Sequence, residues 1–232
     1  TGILAGSGAA SMGKYKGAAP GCHLVALKVL DRFGNGNKED VLKAFEWILR
    51  NRQRYNIRIV NISVGTTYRT RSEQDVLVKG VEKLWDEGLV VVAAGNQGPD
   101  PGSVTAPGCS KKIITVGSSD MLSGKRAVSG RGPTFECVCK PDLVAPGSGI
   151  ISCNAWYRKN HFCSVNHPYT AKNGTSMAVP AVSAAAALLW EKEPHLANEQ
   201  VRERLLYHAQ DLGENWGMQG WGMLHVGRAL KG

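Results

Sequence analysis

The chain has 232 residues, of which 43% are hydrophobic and 20% charged, and this composition excludes both a disordered chain and a coiled coil. A chain of this length buries a core without metals or disulfides, and its longest apolar stretch, residues 178–190, is too short to span a bilayer. The net charge of +9 is spread along the chain, so nucleic acid is not an expected partner, although a basic binding module remains an alternative.

Six cysteines are present without any Cys-x-x-Cys pair, and only Cys137 and Cys139 are closely spaced. This density does not suggest a disulfide framework, and it favours a reducing compartment, hence the cytoplasm over secretion. We predict no metal site. A zinc site remains an alternative, although its spacing fits no standard pattern; its ligands would be drawn from Cys137, Cys139, Cys153, Cys163, His161 and His167.

The first half of the chain alternates apolar runs with amphipathic segments. Strands are predicted at 24–30, 57–64, 89–94 and 112–116, and helices at 38–52, capped by Asn37, and from a Ser72–Asp75 capping box to Glu87. Two of the strand-to-strand steps enclose a helix long enough for a right-handed crossover. The pattern therefore predicts a parallel α/β sheet.

The second half is interrupted by glycine and proline. A polar loop is predicted from Cys153 to Asn173, followed by a strong helix to about Lys192 and a last helix at 198–209, capped by Asn198. There is no internal repeat and no linker that would divide the chain. Residues 1–232 are therefore expected to form a single domain.

Two polar residues stand where an α/β sheet presents its reactive groups. Asn96 follows the strand at 89–94, and Ser176 opens an alanine-rich helix. Unpaired N–H groups and the positive end of the helix dipole favour an oxyanion beside Ser176, and Asn96 can supply a second donor. A hydroxyl with two convergent donors is the arrangement that acyl transfer requires. The alternative is that Ser176 merely caps the helix and Asn96 ends a turn.

Several segments resemble one enzyme family, in the family's order. The segments 174–180 (GTSMAVP) and 93–98 (AAGNQG) resemble the nucleophile and oxyanion-asparagine motifs of the subtilisin-like serine proteases, and 16–21, 24–30, 60–65, 140–147 and 220–224 agree with other parts of that family. The resemblance covers essentially the whole chain. It implies an α/β three-layer sandwich around a central, mainly parallel, twisted sheet.

The resemblance also implies roles for individual residues. Ser176 would be the nucleophile and Asn96 the side-chain oxyanion donor, and polypeptide substrates would bind as an added extended strand. The substrate-binding residues would be Ser63, Val64, Gly65, Ala93, Ala94, Gly95 and Thr175. Because residues 93–95 are small, we expect a large, mainly apolar residue before the scissile bond, at P1.

Two motifs of the family are not found in these 232 residues. The family's catalytic order is Asp, His, Ser, and residues 1–6 resemble what directly follows its histidine. We therefore expect residues 1–232 to be the larger part of a longer catalytic domain. A companion N-terminal fragment would supply the aspartate, the histidine and a central strand between 24–30 and 58–64. No obligatory cofactor is expected, and a structural calcium or monovalent cation is left open.

Two other hypotheses remain. The chain would be a non-catalytic scaffold or a regulator of another protease if the companion segment lacked the aspartate and histidine. Ser176, Asp211 and His225 occur in the order of an α/β-hydrolase triad, but the segment around Ser176 lacks the second glycine of that family's nucleophile turn.

Overall fold

The fold is built on a four-stranded parallel sheet with the order β1-β2-β3-β4. The computed structural model describes residues 1–66, 75–155, 157 and 167–232. The strands are β1 (Ile59–Ile62), β2 (Leu89–Ala93), β3 (Ile114–Ser118) and β4 (Leu143–Ala145). All five residues of β2 are buried, so both faces of the sheet are covered. The predicted parallel α/β architecture is confirmed.

Helices flank this sheet. They are α1 (Gly2–Ala5), α2 (Lys38–Tyr55), α3 (Val76–Trp85), α4 (Thr175–Lys192), α5 (Asn198–Tyr207), α6 (Trp216–Gln219) and α7 (Val226–Ala229). Helix α4 packs against all four strands, and α2 packs against α3. A separate antiparallel hairpin joins β5 (Ile150–Cys153) to β6 (Tyr169–Lys172). Within the described residues, no helix is long and apolar enough to cross a membrane.

The N-terminal ends of α2, α3 and α5 can be compared with the predicted caps. Asn37 caps α2 as predicted, since its side chain accepts a hydrogen bond from the Asp40 N–H at 2.7 Å. Helix α3 begins after Asp75, whose carboxylate accepts from the Leu77 N–H; the predicted start at Ser72 lies outside the described residues. Asn198 was wrongly predicted to cap α5. It is the first helical residue, and its side chain instead donates to the Trp85 carbonyl at 2.7 Å, which ties α5 to the end of α3.

The predicted strand at 24–30 is wrong. This segment is irregular, and Leu24 and Val25 are 46% and 45% exposed. A strand requires a neighbour with which to exchange backbone hydrogen bonds. Here this segment and β1 both line a groove of about 1350 Å³, and within the described residues β1 pairs only with β2. An apolar run of strand-forming residues is therefore not sufficient for a strand.

The loop predicted from Cys153 to Asn173 is only partly correct. Its last residues form β6, which pairs with β5, and β4 was also missed because a strand of three residues leaves little periodicity. Residues 156 and 158–166 of that loop, which include His161 and Cys163 of the alternative zinc site, lie outside the described residues.

Candidate active site

The candidate site lies where the carboxyl ends of β1 and β2 meet the first turn of α4. Strand β2 ends at Ala93, and the chain turns at Gly95, whose φ of +91° lies in the left-handed region that glycine adopts without strain. This turn brings Asn96 to the start of α4. Parallel strands present their carboxyl ends at one edge of the sheet, so residues distant in sequence converge here.

Asn96 is held by its neighbour on α4. Its Oδ1 accepts hydrogen bonds from the Thr175 N–H at 3.0 Å and from the Thr175 hydroxyl at 3.2 Å. Gly174 precedes this contact with a φ of +133°, and a Cβ there would lie 3.3 Å from Asn96 Nδ2. Because the amide oxygen is occupied twice, the orientation of the amide is fixed with Nδ2 as its donor.

Ser176 is half-buried in the first turn of α4 and faces the end of β1. Its hydroxyl donates to the Ser63 carbonyl at 2.9 Å, and the Ser63 hydroxyl donates back to the Ser176 carbonyl at 3.3 Å. In this turn the Thr175 N–H donates to Asn96 Oδ1 and the Met177 N–H donates to the Gly174 carbonyl at 2.9 Å, and the helix dipole is positive there. The structure therefore brings together Ser176, Asn96 and Ser63, and provides a positive potential beside the Ser176 hydroxyl.

A polar chain behind Ser63 was missed in the sequence. The Ser183 hydroxyl donates to Asn61 Oδ1 at 2.9 Å, and Asn61 Nδ2 donates to Ser63 Oγ at 3.3 Å. Ser183 is completely buried in an apolar helix, and Asn61 interrupts an apolar strand. Ser183 is the signal that could have identified this chain, because buried polar groups are normally hydrogen-bonded, whereas Asn61 is exposed.

The two predicted substrate-binding segments are tied to each other by a third. The N–H of Thr105 donates to the Ala94 carbonyl at 3.2 Å, and the Thr66 N–H donates to the Ala106 carbonyl at 2.8 Å. Residues 105–106 therefore connect the segment 93–95 with the segment 63–65. Thr175, by contrast, is fully buried against Asn96, so its side chain supports Asn96 and does not line the open cleft.

The structure does not support the α/β-hydrolase triad order. Asp211 Oδ1 accepts from the Gly213 N–H and from Gln219 Nε2, bonds that lower the pKa of this carboxyl. His225 Nδ1 caps α7 by accepting from the Arg228 N–H at 3.2 Å. Among the described residues, no histidine or carboxylate is hydrogen-bonded to the Ser176 hydroxyl.

Metal ligands do not cluster in the part of the chain that the structure describes. There, no three side chains of His, Cys, Asp or Glu approach one another closely enough to hold a metal ion. Because Cys163 and His161 lie outside those residues, this finding does not extend to the whole ligand set of the alternative zinc site.

Sequence and structure comparisons agree on one family. The chain is 38% identical over 225 residues to the serine protease AprX of Bacillus subtilis, covering 88% of this chain and 50% of AprX. It is 33% identical to a thermostable alkaline protease of Halalkalibacterium halodurans, covering 93% and 52%, and 33% identical to subtilisin DY of Bacillus licheniformis, covering 93% and 70%. The chain thus spans about half the length of the first two of these relatives.

Among solved structures, Sphericase matches with a TM-score of 0.77 at 26% identity, covering 97% of this chain and 75% of that chain. The S41 psychrophilic protease matches with the same TM-score at 25% identity. The Subtilase family itself matches residues 1–222. The motifs at 93–98 and 174–180 meet at one site within that matched region, and the chain belongs to the Subtilase family.

Proposed function

We propose that this chain forms the larger part of a serine endopeptidase in which Ser176 is the nucleophile. The observation that carries the proposal is the double hydrogen bond from Thr175 to Asn96 Oδ1, which leaves Asn96 Nδ2 as a donor beside the helix turn that holds Ser176. Asn96 Nδ2 and the Ser176 N–H then supply two donors to an oxygen that becomes negative in the transition state. Preorganised donors of this kind are usually the largest single contribution to such catalysis.

The hydroxyl of Ser176 needs a base, and its present partner is not one. The Ser63 carbonyl accepts the Ser176 hydroxyl bond at 2.9 Å, but an amide carbonyl is too weakly basic to remove the proton. We propose that a histidine, oriented by an aspartate, comes from a segment preceding Thr1. The Ser176 hydroxyl would then donate its hydrogen bond to this histidine instead of to the Ser63 carbonyl.

The groove beside β1 supports this part of the proposal. Within the described residues β1 pairs only with β2, so its other edge is free to accept backbone hydrogen bonds from a further strand. Thr1 and Ser176 both line the same groove. A segment leading into Thr1 therefore has direct access to the free edge of β1 and to the Ser176 hydroxyl. A strand placed there would also give the segment 24–30 a pairing partner.

The reaction then follows from these positions. The substrate binds as an extended strand that pairs with 63–65, with its P1 side chain between that segment and 93–95, and Ser176 Oγ attacks its scissile carbonyl while the histidine takes the Oγ proton. The tetrahedral oxyanion is held by Asn96 Nδ2 and the Ser176 N–H. When the carbon–nitrogen bond breaks, the histidine returns that proton to the leaving amine. Water, deprotonated by the same histidine, hydrolyses the ester on Ser176 and regenerates the free hydroxyl.

The decisive experiment is labelling by a fluorophosphonate probe, followed by denaturing intact-mass spectrometry of every polypeptide in the purified protein. We expect one adduct on the chain, mapped by peptide sequencing to Ser176, and a second polypeptide segment bearing an aspartate and a histidine. Ser176→Ala is expected to abolish the adduct, and Asn96→Ala to slow labelling on the order of 10²-fold. An unlabelled chain beside an intact companion segment would overturn the proposal and favour a non-catalytic regulator.

A further inference from the structure

The segment 147–149 lies between the end of β3 and the start of α4. A Cβ built on Gly147 would lie 2.5 Å from Ser118 Oγ and 2.8 Å from the Gly174 carbonyl oxygen, so the backbone at this point is packed against both elements. The Gly174 N–H also donates to the Gly147 carbonyl at 2.8 Å. The segment therefore supports the residue from which α4 begins.

Asp120 anchors this segment to the sheet. It lies in a short 3-10 helix, Ser119–Met121, that directly follows β3, and all five residues of that strand are buried. Asp120 Oδ2 accepts hydrogen bonds from the Gly147 N–H at 3.0 Å and from the Ser148 N–H at 3.2 Å. Hydrogen bonds from backbone N–H groups to a carboxylate are stronger than those between neutral groups. One side chain thus holds two consecutive backbone groups of the segment.

Asn173 holds the other side of the same segment. Its Oδ1 accepts hydrogen bonds from the Gly149 N–H at 2.6 Å and from the Ser148 hydroxyl at 3.3 Å. Asn173 stands two residues before the first residue of α4. The segment is therefore bonded on one side to Asp120, at the end of a buried strand, and on the other side to the start of α4.

From this arrangement we infer that Asp120 is a positioning residue, which acts through the segment 147–149 to fix the helix turn that carries Ser176. The inference rests on the proposed function, since the hydroxyl held by this turn is the proposed nucleophile. The oxyanion donor depends on the same turn, because a Cβ built on Gly174 would lie only 3.3 Å from Asn96 Nδ2. A displacement of a catalytic group by about 1 Å can lower a rate on the order of 10²-fold.

The first test measures kcat and KM of the full protein on one peptide substrate. We expect Asp120→Ala to lower kcat about 10-fold with KM unchanged, because it loosens a turn that matters most in the transition state. Asp120→Asn keeps an oxygen that can accept both N–H bonds and is expected to recover most of kcat. Asp86→Ala, at an exposed aspartate paired with Lys112, is the matched control and is expected to leave both constants unchanged.

The inference is overturned if Asp120→Ala leaves kcat unchanged, if it raises KM at constant kcat, or if Asp120→Asn loses as much kcat as Asp120→Ala. Should Asp120→Ala not fold, Asp120→Ser tests the same point, because its side chain is one bond shorter and does not reach both N–H groups. The same fall in kcat is then expected.

A second readout does not depend on catalysis. Hydrogen exchange, resolved at single amides, measures the protection of the Gly174 and Thr175 N–H groups, whose hydrogen bonds hold the start of α4. We expect Asp120→Ala to accelerate exchange at these two amides about 10-fold while the amides of β2 keep their protection.

The two readouts separate the inference from the proposed function. If the wild type neither cleaves peptides nor reacts with a fluorophosphonate, but Asp120→Ala accelerates exchange at Gly174 and Thr175 alone, the fixing of the turn stands and the proposed function fails. Unchanged exchange at these two amides overturns the inference. An equal acceleration throughout the chain overturns it as well, since it would mean a general loss of stability.

Discussion

Asn96 and Thr175 are joined by two hydrogen bonds to a single atom, the amide oxygen of Asn96, at 3.0 and 3.2 Å. The bond from the Thr175 N–H does not depend on the side chain at this position, whereas the bond from the hydroxyl does. The hydroxyl bond is therefore the part of the contact orienting Asn96 that a mutation can remove. Because Thr175 is fully buried, we propose that it positions Asn96 and does not contact the substrate.

Thr175→Val is expected to lower kcat by about 10-fold with little change in KM, since it removes one of two bonds that fix a transition-state donor. Steady-state kinetics on a peptide substrate measures this split. Thr175→Ser retains the hydroxyl and is expected to recover most of kcat. A rise in KM at constant kcat would contradict the positioning role and indicate a direct contact with substrate.

The chain of hydrogen bonds from Ser183 through Asn61 ends at the Ser63 hydroxyl, and the carbonyl of the same residue accepts the hydrogen bond of the Ser176 hydroxyl. Ser183→Ala removes the bond that orients the Asn61 amide, and small displacements of a catalytic group are costly. We expect kcat to fall about 10-fold, with unchanged binding of product peptides. Ser7→Ala, at an exposed serine, is the matched control. Equal kcat in both variants would show that the chain of bonds has no influence on the reacting hydroxyl.

The parallel α/β architecture could be predicted from the sequence, whereas not every strand could be placed. Ser176 and Asn96 each stand in a contiguous motif whose local geometry, a helix start and a glycine turn, is determined within a few residues. The strand at 24–30 failed because strand formation depends on a partner that lies elsewhere in the chain. The segment 105–106 was missed for a related reason, since its hydrogen bonds to Ala94 and Thr66 connect residues that are distant in sequence.

Lys140 and Asp142 form an ion pair inside the protein, with side chains 1% and 6% exposed. Lys140 Nζ also donates to the Ile113 carbonyl at 2.8 Å, and Arg202 donates to Asp142 Oδ1 at 2.7 Å. Burial lowers the pKa of Lys140, because desolvation penalises its charged form, and Asp142 opposes this shift. Pairing with Asp142 therefore favours the charged form of Lys140, which burial alone would disfavour.

Asp142→Ala is therefore expected to reduce the free energy of unfolding by about 3–5 kcal/mol, the range for removing one partner of a buried pair. Urea denaturation monitored by tryptophan fluorescence measures the change. Asp86→Ala, which breaks the exposed pair with Lys112, is the control and is expected to leave the midpoint unchanged. If the two variants lost similar stability, burial would not be the reason for the effect at Asp142.

Cys109 gives the protein a predictable sensitivity to alkaline pH. The residue is 4% exposed, and burial raises the pKa of its thiol to about 11 from its usual value of 9.0. Below pH 9 the thiol is protonated in both the folded and the unfolded chain. Between pH 9 and 11 the unfolded chain releases the proton while the folded chain keeps it, so the free energy of unfolding falls as the pH rises.

This decrease amounts to roughly 2 kcal/mol by pH 11. Cys109→Ala is expected to be less stable near neutral pH because it loses buried volume, yet to show a shallower decrease above pH 9, since the titrating group is gone. Denaturation curves at half-unit pH intervals measure both slopes, with Cys137→Ala as the control at an exposed cysteine. The difference between the slopes isolates Cys109 from the tyrosines and lysines that titrate in the same range. Parallel slopes for wild type and Cys109→Ala would mean that the thiol ionises equally readily in both states, and hence that water reaches it in the folded protein.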